Sequence, residues 1–141
     1  MEGKDGEQGL RHALDELLAE RKQLLATYYQ AVSACRDKGQ EHRAQQLARL
    51  CQLLMDYAAL WQFEIHDLLV HSAAKHPMAV QVLELHQPVI QRAADQALDF
   101  NDLFDVAMRE GKFSPVESRL SALGESLANR FEAEDQIMLN L

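Results

Sequence analysis

The sequence predicts an all-α protein, an up-down-up-down bundle of four long helices joined by short connections. The chain interior is almost free of helix breakers, because three of the six glycines lie in the first nine positions and only Gly39, Gly111 and Gly124 follow. Apolar residues recur at spacings of three and four, and no stretch alternates apolar and polar residues in the manner of a strand. Helices that follow one another in sequence are therefore expected to run antiparallel.

Helix one is predicted over residues 10–38, where its apolar residues keep helical spacing until Gly39 ends it. Residues 1–9 are polar and rich in glycine, and we expect them to form a flexible N-terminal segment. The chain length of 141 residues suits one domain, which would occupy residues 10–141.

Proline and glycine bound the next two helices. Helix two is predicted over residues 41–74, because the residue before Pro77 is disfavoured in helical geometry. Helix three is predicted over residues 77–110, with Pro77 in its first turn and Gly111 at its end. Pro88 lies inside helix three and removes a backbone donor, so a kink or break is expected there.

Helix four is predicted to begin with a capping box at Ser114. Pro115 would occupy its first helical position and Glu117 its third, where the carboxylate can reach back to the cap. The apolar seam of this helix continues to the last residues of the chain, and no capping residue follows it.

Charge and composition limit the classes of partner. The chain has 14 Lys and Arg against 22 Asp and Glu, a formal net charge of −8, which opposes direct binding to nucleic acid and favours a basic protein partner. No apolar run is long enough for a membrane span, and no secretory signal is recognisable. Cys35 and Cys51 are too few for a disulfide framework. A cytoplasmic protein is expected.

Neither catalysis nor a metal site is expected. The sequence contains no nucleophile motif, phosphate loop or Cys-x-x-Cys pair, so we predict neither an enzyme nor a cofactor. His66, His71 and His76 are five residues apart, which spreads them around a helix, although Asp67 and His71 have ligand spacing. A rival interpretation of the whole chain is a degenerate hemerythrin-like bundle that acts as a metal-binding or general protein-interaction module.

Two polar residues occupy positions where the helix seams call for apolar ones. Arg21 continues the spacing of Leu14, Leu18 and Leu25 on helix one, and Glu134 takes a similar position on helix four. Antiparallel packing would bring Arg21 and Glu134 together, and a buried cation requires a partner. The pair is either an internal salt bridge that fixes the register of the helices, or part of a polar pocket or a partner contact at the open end of the bundle.

Helix two carries a second stripe away from its seam, again at spacings of three and four: Leu53, Asp56, Leu60, Phe63 and Asp67. A helix with two apolar faces is either central in a bundle or offers one face to a partner. The stripe would then either pack on helix three or form a binding surface in which Asp56 and Asp67 frame the apolar centre of Leu60 and Phe63.

The chain contains LLAERKQLL at residues 17–25, CQLLMDY at 51–57 with FEI at 63–65, and LGESL at 123–127 with RFEAED at 130–135. Together these segments resemble the Rsd/AlgQ family of bacterial regulators that bind the primary sigma factor. The segment at 17–25 resembles the first helix of that family. The segments at 51–57 and 63–65 resemble its second helix, although Trp61 and Gln62 replace the family's Gly-His. The segments at 123–127 and 130–135 resemble its last helix.

The resemblance implies a monomeric anti-sigma factor. Such a protein binds the C-terminal DNA-binding domain of the primary sigma factor and keeps this factor from core RNA polymerase. Some members of the family also engage a phosphocarrier protein of the sugar phosphotransferase system, and no residue here decides for or against this partner. Asp56, Tyr57, Phe63, Arg130 and Asp135 match positions of the family pattern, as do the two residues of the polar pair. The residues expected to bind the partner are Asp56, Tyr57, Leu60, Phe63 and Asp67. Asp56 is the strongest candidate for a sigma contact because it lies off the core seam.

Overall fold

The computed structural model describes residues 2–36 and 39–141, and these residues form helices with no strand. In chain order the elements are α1 (Glu2–Arg36), α2 (Gln40–Leu60), a π-helical turn (Trp61–Ile65), α3 (His66–His71), α4 (Pro77–Glu110), α5 (Ser114–Glu117) and α6 (Leu120–Met138). The predicted all-α class is therefore confirmed for the described part of the chain.

Helix α1 begins earlier than predicted, at Glu2 instead of Leu10. Residues 2–9 thus extend the helix, while the flexibility expected of residues 1–9 stays a prediction, and Met1 lies outside the described residues. The predicted helix end at Lys38 lies outside them as well.

The second predicted helix is not one continuous α-helix. Its α geometry ends at Leu60, and in the π turn that follows, the N–H of His66 donates to the carbonyl of Trp61, five residues back instead of four. The extra residue changes which side chain next enters the core. Helical spacing predicts Leu68 there, whereas the structure buries Leu69 completely and leaves Leu68 half-buried.

Helix α4 begins and ends where the sequence predicts. Pro77 is its first residue, and Gly111 ends it with a φ of 71°, a left-handed conformation that glycine adopts without a steric penalty. The helix continues through Pro88 without a break. A bend at this proline stays a prediction.

The predicted capping box does not form. Ser114 is the first residue of α5, and the cap position falls on Phe113, whose side chain makes no capping hydrogen bond. Phe113 and Val116 are both buried, so apolar packing decides how the chain enters this helix. The helix is then interrupted at residues 118–119 before α6 begins.

The long helices form a bundle around one hydrophobic core. α1 packs against α2, α2 against α4, and α4 against α6. The hydroxyl of Tyr28 in α1 donates to the carbonyl of Leu120 at 2.7 Å, at the start of α6. Gly124 makes this approach possible, because a Cβ atom at that position would overlap the Tyr28 ring.

Candidate partner-binding site

Three of the five residues predicted to contact a partner lie on the surface. Asp56 and Asp67 are exposed, and the Phe63 side chain is 72% exposed. Tyr57 and Leu60 are 1% and 8% exposed and belong to the hydrophobic core. The expectation that Leu60 and Phe63 together form an apolar surface centre is therefore wrong, because Leu60 packs inside the bundle.

The π turn explains why Leu60 and Phe63 separate. Regular α geometry would keep these two residues on one face, since they are three positions apart. In the wider turn, Leu60 and Trp61 both point inward, and the next three residues, Gln62, Phe63 and Glu64, are all exposed. Phe63 is left as a single aromatic side chain beside a carboxylate.

Carboxylates from α1 extend this surface. Burial, and then repulsion from Asp56, Glu16 and Glu64, raises the pKa of Glu20 above its usual value of 4.5. Glu16 and Glu20 belong to α1, Asp56 to α2 and Glu64 to the π turn. We call the surface the acidic face and define it by six residues: Glu16, Glu20, Asp56, Phe63, Glu64 and Asp67.

A groove separates α1 from the π turn and α3 at one end of the acidic face. Phe63, Glu64 and Asp67 line one wall, and Gly9 and His12 line the other. Phe63 therefore lines an open groove together with two carboxylates. A partner that carries both cationic side chains and an apolar cavity would complement this arrangement.

A second group of charged residues lies inside the bundle and joins α1, α2 and α6. Glu134 is fully buried and accepts hydrogen bonds from Nη2 of Arg21 at 3.1 Å, from Nε of Arg130 at 3.0 Å and from the Tyr57 hydroxyl. Nη1 of Arg21 also donates to Oδ1 of Asp135 at 2.7 Å. We call these five residues the charge network.

Aromatic rings enclose the charge network. The guanidinium of Arg21 lies 4.7 Å from the centroid of the Phe131 ring, and that of Arg130 lies 5.1 Å from the centroid of the Tyr57 ring. Burial, and then the negative charge of Glu134, raises the pKa of Tyr57 above its usual value of 10. The Tyr57 hydroxyl therefore keeps its proton and remains a donor to the carboxylate.

The charged groups of the network pair with one another, so the network contributes to the packing of the helices. It contains two guanidinium groups and two carboxylates, and each charged group has an oppositely charged partner. Removing one member of a buried pair leaves an uncompensated charge, which costs ~3–5 kcal/mol. Of the two interpretations of Arg21 and Glu134, the geometry favours an internal ion pair, and this pair includes Arg130 as a second cation.

The acidic face and the charge network are formed by adjacent residues of the same two helices. On α1, Glu20 belongs to the face and the next residue, Arg21, to the network. On α2, Asp56 is exposed on the face and the next residue, Tyr57, is buried in the network. Neighbouring residues of a helix point in directions about 100° apart, so one short segment supplies both regions.

Sequence reasoning missed several members of both regions. Glu16 and Glu20 are four residues apart on α1 and so share one side of that helix, but only the register of α1 against α2 brings them to Asp56. Arg130 was expected merely beside the seam, and it is 3% exposed within it. Tyr57 was expected among the partner-binding residues and is instead a donor in the core.

Metal-binding clusters and membrane-spanning helices are absent from the described residues. Within residues 2–36 and 39–141, no three His, Cys, Asp or Glu side chains come together in a way that could hold a metal ion. None of the helices in these ranges combines the length and apolar character needed to cross a membrane. A metal-free protein stays a prediction.

A family profile described as "Regulator of RNA polymerase sigma(70) subunit, Rsd/AlgQ" matches residues 3–141. The chain belongs to the Rsd/AlgQ family. The resemblance seen in three sequence segments is thereby confirmed, and the match includes every residue of the acidic face and of the charge network.

Relatives of this chain in the family carry the name "Regulator of sigma D". The protein of Pectobacterium atrosepticum is 30% identical over 131 residues, which cover 89% of this chain and 84% of the relative. The Escherichia coli protein is 27% identical over 134 residues (93% and 84%), and that of Yersinia pseudotuberculosis is 26% identical over 136 residues (92% and 79%). No solved structure shows a significant match to the chain.

Proposed function

We propose that this protein is an anti-sigma regulator of transcription. It binds the C-terminal DNA-binding domain of the primary sigma factor and limits the association of this factor with core RNA polymerase. Membership of the Rsd/AlgQ family and relatives named as regulators of sigma D support the sigma factor as the partner. The protein acts in the cytoplasm, where polymerase works, and as a monomer in its up-down-up-down bundle.

Phe63 is the observation that carries the choice of the acidic face as the contact surface. A phenyl ring that is 72% exposed and lines a groove with two carboxylates suits a basic partner better than solvent. A DNA-binding domain carries Lys and Arg side chains that contact phosphate. Asp56, Glu64 and Asp67 accept charge-assisted hydrogen bonds from these side chains, and Phe63 supplies the apolar centre.

Opposite charge also governs the rate of association. The net charge of −8 attracts a basic domain before contact, and this attraction weakens as salt screens it. The sigma domain bound in this way has its DNA-contacting side chains covered. Through this one surface, the protein limits the binding of the sigma factor both to the promoter and to polymerase.

This role requires binding alone, and we propose no catalytic activity for the protein. The family is one of regulators, and the charge network is fully paired, so it offers no free acid or base. A phosphocarrier protein is a second expected partner. Repeating the titration below with a phosphocarrier protein from the same cell tests whether it uses the same face.

Replacing Asp56 by lysine tests the proposal. Asp56→Lys puts repulsion in place of attraction and should weaken binding of the isolated sigma C-terminal domain well over tenfold. Asp56 is exposed, and its side chain accepts a surface hydrogen bond from Gln52, so the fold should survive. Calorimetric titration measures the affinity, and circular dichroism checks the fold.

Glu84→Lys provides the matched control. Glu84 is an exposed residue of α4, an element that contributes no residue to the acidic face, and its replacement changes the net charge by the same amount. This control should keep its affinity within about twofold, with a small loss from the weaker overall field. Equal affinities for Asp56→Lys and Glu84→Lys would reject the acidic face as the contact surface. No binding by the unaltered protein would reject the sigma domain as the partner.

A further inference from the structure

The acidic face is built around an interruption of α-helical geometry. At Trp61–Ile65 the backbone forms a π turn, closed by the hydrogen bond from the N–H of His66 to the carbonyl of Trp61. Such a turn holds one residue more than an α-helical turn. Here the three middle residues of the turn are all exposed, while Trp61 is 1% and Ile65 is 0% exposed.

The core does not require this extra residue. With one residue fewer, Ile65 would follow Trp61 at a spacing of three instead of four, and both spacings keep two side chains on one side of an α-helix. The turn also holds Trp61 with its Nε1 atom buried and without a hydrogen-bond partner among the described residues. Single π turns within α-helices are rare and occur mostly at functional sites.

We propose that the π turn is the specificity-determining element of the acidic face. Its extra residue turns Phe63 outward into the groove between α1 and α3, beside Glu64 and Asp67. The favoured partner is therefore a basic protein surface with an apolar cavity that accepts the Phe63 ring. A basic surface without such a cavity binds through charge alone. This inference rests on the proposed function, because it takes the basic sigma domain as the partner.

Deletion of Gln62 separates the turn from the charges around it. Gln62 is uncharged and exposed, so the deletion leaves every carboxylate of the acidic face in the chain. It restores α-helical spacing between the buried residues, and Phe63 leaves its place in the groove. Affinity for the isolated sigma C-terminal domain should fall tenfold or more. Affinity for poly-L-lysine, which contacts the face through charge alone, should stay within twofold.

A pair of substitutions tests the same point without altering the backbone. Phe63→Ala removes the ring from the intact turn and should lower the affinity for the sigma domain about tenfold or more. Val70→Ala is the matched control, since Val70 is 49% exposed on α3 and lies outside the turn, and it should change the affinity less than twofold. Both variants keep the backbone of the turn intact, so they test the contribution of the Phe63 ring even if the deletion variant fails to fold.

Each outcome separates this inference from the proposed function. A folded deletion variant with undiminished affinity for the sigma domain would overturn the role of the turn, as would equal effects of Phe63→Ala and Val70→Ala. In either case a weakened Asp56→Lys variant would still support the proposed function. An unaltered protein that does not bind the sigma domain would overturn both.

Discussion

The charge network pairs its charged side chains inside the protein, whereas the acidic face presents several carboxylates at the surface. In the network, Glu134 is fully buried and receives hydrogen bonds from two guanidinium groups and one hydroxyl. On the face, burial and then repulsion from neighbouring carboxylates raise the pKa of Glu20. Charge that is paired inside the bundle stabilises the fold. Repulsion between carboxylates on the surface decreases when a cationic partner binds.

A third region, the groove between α4 and α6, shows what sets the acidic face apart. Its lining includes His86, Arg92, Gln96, Asn129 and Glu132, so it mixes both signs of charge with amide groups. No phenyl or phenol ring is among the residues that line it. The charged residues of the acidic face are all carboxylates, with the imidazoles of His12 and His71 in the adjoining groove. Their combination with an exposed aromatic ring carries the functional proposal.

The largest expected effect follows from removing the central charge of the network. Glu134→Gln leaves the guanidinium of Arg130, which is 3% exposed, without its counter-ion. Loss of a buried partner typically costs ~3–5 kcal/mol in the free energy of unfolding, which urea titration measures. Glu132→Gln is the matched control on an exposed position two residues away, and it should change this free energy by less than about 0.5 kcal/mol. Equal losses would show that Glu134 is not a buried counter-ion.

A smaller effect is expected from the other cation of the network. Arg21→Leu removes a hydrogen bond to Glu134 and one to Asp135, but Arg130 and Tyr57 still pair with Glu134. Hydrogen bonds to charged groups contribute ~1.5–3 kcal/mol, so urea unfolding should report a loss of about 2 kcal/mol. A loss as large as that of Glu134→Gln would mean that Arg130 does not compensate the buried carboxylate.

The smallest effect on stability is expected on the acidic face, and it has the opposite sign. Because the folded-state pKa of Glu20 is raised, its stabilising contribution is complete below the usual value of 4.5 and is lost as the pH rises through the folded-state pKa. Glu20→Gln should therefore be slightly more stable than the unaltered protein at pH 7, by up to about 0.5 kcal/mol, and the difference should vanish at pH 4. Thermal unfolding at both pH values measures this. A variant that is less stable at pH 7 would place Glu20 among the stabilising residues.

Helical periodicity predicted the parts of this fold that depend on spacing alone. Pro77 and Gly111 bound α4 as expected, because their effects on the backbone are local. Arg21 was expected near Glu134 because both interrupt an apolar seam, and their side chains are 3.1 Å apart. Helical spacing was therefore enough to predict the contact between Arg21 and Glu134 at the centre of the charge network.

The same periodicity could not predict the π turn or the start of α5. Trp61, Ile65 and Leu69 are spaced by four, which is compatible with either an α-helix or a π turn, and Leu68 offered an equally apolar alternative. At Ser114, the burial of the Phe113 side chain outweighs a capping hydrogen bond. Both features depend on packing between distant segments, which a single sequence does not display.

Mapping the bound surface residue by residue tests the division between the two regions most directly. Isotope-labelled full-length protein is titrated with the unlabelled sigma C-terminal domain, and the backbone amide shifts are followed by NMR. We expect the largest shifts in α1 around Glu16 and Glu20 and in α2, the π turn and α3 between Asp56 and Asp67. The largest shifts along the groove between α4 and α6, with the acidic face unchanged, would contradict this expectation.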